Sequence, residues 1–92
     1  MLSRFKQKRV IITGGASGLG KALVEAFARL KWRIAVVDIN LEGAEAVAKQ
    51  VNNEGAEAIA LYCDVSKDDD FIKIAKQLKE QWDGVDIIVN NA

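Results

Sequence analysis

The sequence predicts an α/β domain built on a doubly wound parallel sheet, and three observations carry that prediction. Short apolar runs rich in β-branched residues alternate with longer stretches of helical periodicity, in the order β-α-β-α-β-α-β. The short runs show no polar alternation, as expected of strands covered on both faces. Four of the seven glycines, Gly14, Gly15, Gly18 and Gly20, fall within seven residues, between the first run and the first helical stretch. Glycine grouped in this way marks a backbone that must turn sharply or let another group come close.

Taken in order, Arg9–Thr13 (RVIIT) is the first strand. Leu19, Ala22, Leu23, Ala26, Phe27 and Leu30 follow at offsets of 0, 3, 4, 7, 8 and 11, one stripe of an amphipathic helix. Ile34–Asp38 (IAVVD) is the second strand, closed by an acid. Leu41, Ala44, Val47, Ala48 and Val51 mark a second helix, which Asn53-Glu54-Gly55 terminates. Ala58–Cys63 (AIALYC) is the third strand, ended by Asp64. Ser66 and Asp69, three residues apart, form an acidic variant of a capping box. The helix behind it is marked by Phe71, Ile74, Ala75, Leu78 and Trp82. Asp83-Gly84 makes the turn into a fourth strand, Val85–Val89 (VDIIV), which runs into Asn90-Asn91-Ala92. Right-handed crossovers give the strand order 3-2-1-4. The fourth strand is then an edge that only Asp86 blunts, so the sheet reads as incomplete, the front part of a larger one.

Composition narrows the function classes. Half of the 92 residues are hydrophobic and 28% are charged, which describes a globular domain and excludes disorder. Thirteen basic and thirteen acidic residues cancel, so no net field favours nucleic acid or an anionic membrane. One cysteine, Cys63, excludes an internal disulfide, and the absence of histidine leaves few ligands for a metal. No apolar run approaches the ~20 residues of a membrane span, and the basic start lacks the apolar stretch of a secretory signal. A cytoplasmic location is therefore expected. Arg4, Lys6, Lys8 and Arg9 read as a solvated basic arm, and Trp32 and Trp82 as packing residues at element ends.

The chemistry lies in the loop Thr13-Gly14-Gly15-Ala16-Ser17-Gly18-Leu19-Gly20. Between a strand and a helix, Gly14 permits the tight turn, Gly18 clears room for a pyrophosphate, and Gly20 lets the helix pack close to the sheet. N–H groups near Ser17 to Gly20 face such a phosphate with the positive end of the helix macrodipole behind them. Asp38, 18 residues after Gly20, can accept hydrogen bonds from an adenosine ribose and would repel a 2′-phosphate. The alternative is an acid that starts the next turn, with Asn40 as helix cap.

Together, Thr13-Gly14-x-x-x-Gly18-x-Gly20, Asp38, Asp64-Val65 and Asn90-Asn91-Ala92 resemble the short-chain dehydrogenase/reductase family, in order and over essentially the whole chain. The resemblance implies a Rossmann-like fold and an oxidoreductase that moves hydride between a nicotinamide dinucleotide and an alcohol or carbonyl substrate. It implies that residues 1–92 are the N-terminal, cofactor-binding part of the domain, with NAD preferred over NADP. In that reading Asp64 and the backbone of Val65 hold the adenine, Leu19 offers its N–H to the pyrophosphate, and Ser17 bonds phosphate or ribose. Asn91 lies beside the ribose and ties the central strands together. The family's Tyr-x-x-x-Lys and serine have no counterpart here, so no catalytic residue is assigned and the chain by itself is expected to be inactive.

Other readings stay open. Asp64 can be a strand-end polar residue, and Asn90 and Asn91 can be purely structural. Gly15 to Lys21 satisfies the GxxxxGK pattern of a P-loop hydrolase, although Ala22 stands where a magnesium-binding hydroxyl belongs. A non-catalytic nucleotide-binding module is a further alternative. A homo-oligomer is expected, and if the isolated chain folds, self-association through the open fourth strand, domain swapping or aggregation.

Overall fold

Valine, isoleucine and alanine dominate the strand segments, and in the computed structural model, which describes residues 7–91, these segments pair into one parallel sheet. β1 (Arg9–Thr13), β2 (Arg33–Asp38), β3 (Glu57–Tyr62) and β4 (Ile87–Val89) lie in the order β3-β2-β1-β4, as the sequence predicts. α1 (Gly18–Arg29), α2 (Leu41–Asn53) and α3 (Asp68–Trp82) connect them. In the central register Ile12 sits opposite Val36 on one side and Val89 on the other.

The two-residue period of the strands divides the core. Val10, Ile12, Ile34 and Val36 point to the face covered by α1 and α2, where Val24, Ala28, Ala44, Val47 and Val51 meet them. Ile11, Ala35 and Val37 point to the other face, against Ile74, Leu78 and Trp82 of α3. Val10, Ile11 and Ile12 are all essentially sealed from solvent. Burying side chains of this size contributes about 1.5–3 kcal/mol each, so β1 is the axis of the fold. No helix among the described residues is long and apolar enough to cross a membrane.

Several expectations change on contact with tertiary structure. The buried face of α1 is Gly20, Val24 and Ala28, with Leu23 and Phe27 flanking it, whereas Leu19 and Leu30 are exposed. The stripe is turned by most of one ~100° helical step, because the small residues, rather than the largest, lie where the helix approaches the loop and sheet. Ser66 does not cap α3. Its hydroxyl donates to Asp64 instead, the N-cap is Lys67, and no side-chain cap bond forms. Three acids in the first turn, Asp68, Asp69 and Asp70, complement the positive end of the helix dipole in its place. β3 begins and ends one residue earlier than predicted, leaving Cys63 just past its end, and β4 is only three residues long.

Arg9 leaves the solvated arm altogether. It is buried, its Nη1 donates to the Trp82 carbonyl at 2.6 Å, and its Nε donates to Asp86 at 3.1 Å. The arginine thereby fastens the start of β1 to the end of α3 and the approach to β4. Arg4 and Lys6 lie outside the described residues. The two tryptophans do pack at element ends: Trp82 is buried, and Trp32 meets Phe27 edge-on at 4.9 Å.

Candidate functional site

Because all four strands are parallel, their C-terminal ends emerge on one side of the molecule. Thr13, Asp38, the Cys63-Asp64 pair and Asn90-Asn91 are therefore brought together although they are scattered along the sequence. β1 lies at the point where strand order reverses, which is where open α/β sheets bind ligands.

The glycine-rich loop is built from the end of β1. Gly14 and Gly18 take φ values of 65° and 57°, a left-handed backbone that favours glycine. The Gly15 N–H donates to the Val37 carbonyl at 3.2 Å, so the loop continues the sheet ladder for one more step. A Cβ on Gly15 would fall 2.9 Å from Cγ1 of Val36, which makes this the glycine that packs against the sheet. Gly20 does something different from the expectation. A Cβ there would fall 1.9 Å from the Gly14 carbonyl oxygen and 2.8 Å from Asn91 Nδ2. The space is needed for the loop and the strand-end asparagine, because α1 starts directly above them. A Cβ on Gly18, by contrast, would meet open space.

α1 begins without help from its own residues. Ser17 is the N-cap in extended conformation, its side chain makes no cap bond, and no acid lies in the first turn. Asn40 caps α2 and Glu42 lies in that helix's first turn. At α1, then, exposed Ser17, Gly18 and Leu19 surround a helix start whose positive end is left for an external anion.

A cleft of about 190 Å³ opens between the ends of β1, β2 and β3, lined by Gly14, Asp38, Ile39, Cys63, Asp64 and Val65. Asp38 Oδ2 accepts the Ala16 N–H at 3.0 Å and Oδ1 accepts the Asn40 N–H at 2.9 Å. An ionised carboxylate has about four lone-pair sites, so two remain for hydroxyl donors. Asp64 Oδ1 accepts both the hydroxyl and the N–H of Ser66, which hold its carboxyl below the usual carboxylate range. Both bonds fall on Oδ1, so Oδ2 keeps its acceptor capacity. Burial, followed by the charges of Asp70 and Asp64, pushes the Cys63 thiol up, and it stays neutral at the cleft wall. On the other side of Val65 a second groove of about 460 Å³ is lined by Thr13, Phe71, Ile72, Ile88 and Asn90, among others.

The structure thus brings Gly14, Asp38, Asp64 and Val65 into one cleft, with Ser17, Gly18, Leu19 and Gly20 at the adjoining helix start. Asn91 ties the central strands through its backbone: its N–H donates to Thr13 Oγ1 at 2.8 Å. The Thr13 hydroxyl proton is placed to reach Asn90 Oδ1 at 3.1 Å, nearer than the Val89 carbonyl at 3.4 Å. Sequence reasoning expected Thr13 only to pack or bond locally and gave no role to Ala16 or to packing at Gly15. Thr13 could have been suspected as a polar residue ending a strand otherwise made for burial.

Comparison with known proteins places this geometry. Residues 8–92 match the short chain dehydrogenase family. A sorbitol dehydrogenase of Cereibacter sphaeroides is 39% identical over 89 residues, which is 97% of this chain and 34% of that protein. A D-threitol dehydrogenase of Mycolicibacterium smegmatis is 37% identical, with the same two coverages of 97% and 34%. Among solved structures, a hydroxysteroid dehydrogenase from Escherichia coli superposes with a TM-score of 0.89 at 34% identity, covering 92% of this chain and 36% of that one. A structure described as a D-mannonate oxidoreductase from Haemophilus influenza, with bound NAD, superposes at 0.83 and 32% identity, covering 88% of this chain and 29% of that one. The chain spans about a third of the length of the two curated relatives. With the family match running from the residue before β1 to the last residue, and the parallel sheet and glycine-rich turn it requires in place, the chain belongs to the short-chain dehydrogenase family.

Proposed function

We propose that this chain forms the adenosine and pyrophosphate side of an NAD(H) site, in an oxidoreductase that interconverts an alcohol and a carbonyl compound. The observation that carries the reading is the uncapped start of α1 beside a cleft edged by Asp38 and Asp64. The residues fit the group. Gly18 has open space where a pyrophosphate would approach, and the free N–H groups of the first turn of α1 would bind its oxygens. Asp38 would receive the ribose hydroxyls on its spare lone pairs, and Asp64 Oδ2 would accept from the adenine amino group. Leu19 would offer its N–H, Ser17 its hydroxyl, and Val65 its backbone. Asn91 would support the ribose from beneath, braced by Thr13.

Bound nicotinamide supplies the site that accepts or donates hydride. This chain's own part is to hold, orient and select the dinucleotide; it carries no Tyr-x-x-x-Lys, so turnover by the chain alone is not expected. Family membership decides against the hydrolase reading of Gly15 to Lys21.

NAD is proposed over NADP. A 2′-phosphate would come against the Asp38 carboxylate, and Ile39 and Ser17 offer no cation in compensation. Like charges brought together in a partly desolvated cleft cost a few kcal/mol. Titration with both cofactors tests this: NAD is expected to bind about ten-fold or more tightly, and Asp38→Ala to lose much of that margin. Equal affinities in the wild type would overturn the assignment.

A further inference from the structure

We propose that the first turn of α2 braces the glycine-rich loop, and that Gly43 is a positioning residue for the turn that receives the pyrophosphate; this rests on the NAD reading above. Gly43 lies inside a helix and its φ is not among the positive ones, so its backbone does not require glycine. Alanine there would favour the helix. The reason for glycine is therefore spatial.

A Cβ on Gly43 would fall 2.6 Å from Asn40 Nδ2, 3.1 Å from Asn40 Cγ and 3.1 Å from the Ala16 methyl. Both neighbours are tied into hydrogen bonds. The Asn40 side chain caps α2, its Oδ1 accepting the Gly43 N–H at 3.0 Å. The Asn40 N–H is held by Asp38 Oδ1, and the Ala16 N–H by Asp38 Oδ2. The contacts close a ring: Gly43 to Asn40, Asn40 to Asp38, Asp38 to Ala16, and Ala16 back to Gly43. Ala16 lies two residues before Gly18, so a displaced Ala16 carries the phosphate-facing turn with it. In this ring Asp38 does two jobs. It faces the cleft where the ribose would sit, and it anchors the loop whether or not a ligand is present.

The test is Gly43→Ala in the full chain, alone and combined with Ala16→Gly, which removes the methyl the new side chain would push. Three quantities are read: urea unfolding, amide hydrogen exchange of residue 16 without ligand, and NAD affinity. Helix propensity alone would leave Gly43→Ala at least as stable as wild type. A brace requires in addition about five-fold faster exchange at Ala16 and about five-fold weaker NAD binding, with the affinity loss falling below about two-fold when residue 16 is glycine. Wild-type affinity and exchange in Gly43→Ala overturn the brace, as does an equal affinity loss in both backgrounds. A wild-type chain that binds no NAD overturns the cofactor reading, and with it the function of the brace. If Gly43→Ala does not fold, Asn40→Ala removes the cap without adding bulk. Faster exchange at Ala16 in that variant supports the ring, and unchanged exchange overturns it.

Discussion

Replacing Gly20 with alanine tests the nucleotide-site geometry at its tightest point. The new Cβ would lie 1.9 Å from the Gly14 carbonyl oxygen, where an ordinary carbon–oxygen contact is about 3.3 Å. Something must move by roughly 1.4 Å to restore that separation. The second neighbour, Asn91 Nδ2 at 2.8 Å, sits on a side chain that can swing, but the Gly14 carbonyl is main chain in the turn itself. The loop therefore carries most of the displacement. Overpacking of this kind costs about 1–3 kcal/mol, and alanine's better helix propensity returns about 1 kcal/mol. The net loss of stability should be about 0–2 kcal/mol, any loss being seen as a lower urea midpoint at unchanged slope. NAD affinity should fall much further, by about ten- to a hundred-fold, because a misplacement near 1 Å is costly to a site built on fixed donors. Gly18→Ala is the comparison for stability alone: its φ of 57° brings strain, its Cβ displaces no protein atom, and it enters the space proposed for the pyrophosphate. A Gly20→Ala chain that binds NAD like wild type, or that gains stability, would refute the reasoning.

Lys31→Gly should stabilise the chain. Lys31 closes α1 with a φ of 65°, and the Lys31 and Trp32 N–H groups donate to the Ala28 and Phe27 carbonyls, as Gly55 and Ala56 do for α2. Relieving a left-handed lysine is worth about 1 kcal/mol; a lower urea midpoint would show that the strain is not there. Stability should also respond to acid through Asp86. Its carboxyl is held below the usual carboxylate range by bonds from the Arg9 side chain and N–H. A depressed folded value means the contribution is intact above the unfolded value of about 4 and is lost as pH falls through the folded one. Melting temperature should therefore drop faster below about pH 4 in wild type than in Asp86→Asn, and parallel profiles would remove Asp86 from the account. Among the described residues β4 pairs only with β1, and Ile87 and Ile88 are exposed. The chain is expected to self-associate along that edge, and light scattering that finds a monodisperse monomer at high concentration would count against it.

The order of elements, the 3-2-1-4 sheet and the glycine-rich turn were legible in the sequence because each rests on local chemistry. Continuous apolar runs rich in β-branched residues, helical spacing, a glycine cluster after an apolar strand, and Gly55 after a helix all act within a few residues. Asp38 could be singled out from its place at a strand end, since parallel strands deliver their ends to one side whatever the packing detail, whereas Asp64 and Val65 were singled out through the family resemblance. Partners far along the chain decided the rest. Arg9 reads as one more cation in a basic stretch until Asp86, 77 residues away, and the Trp82 carbonyl enclose it. Thr13 is one more β-branched residue until Asn91, 78 residues on, donates to its hydroxyl. The face that α1 buries, the choice of Ser66 between a helix cap and Asp64, and the value of an absent side chain at Gly20 or Gly43 depend on which atoms stand opposite. Spacing along a chain records periodicity, but not the identity of what packs against it, and packing assigns the role of each of these residues.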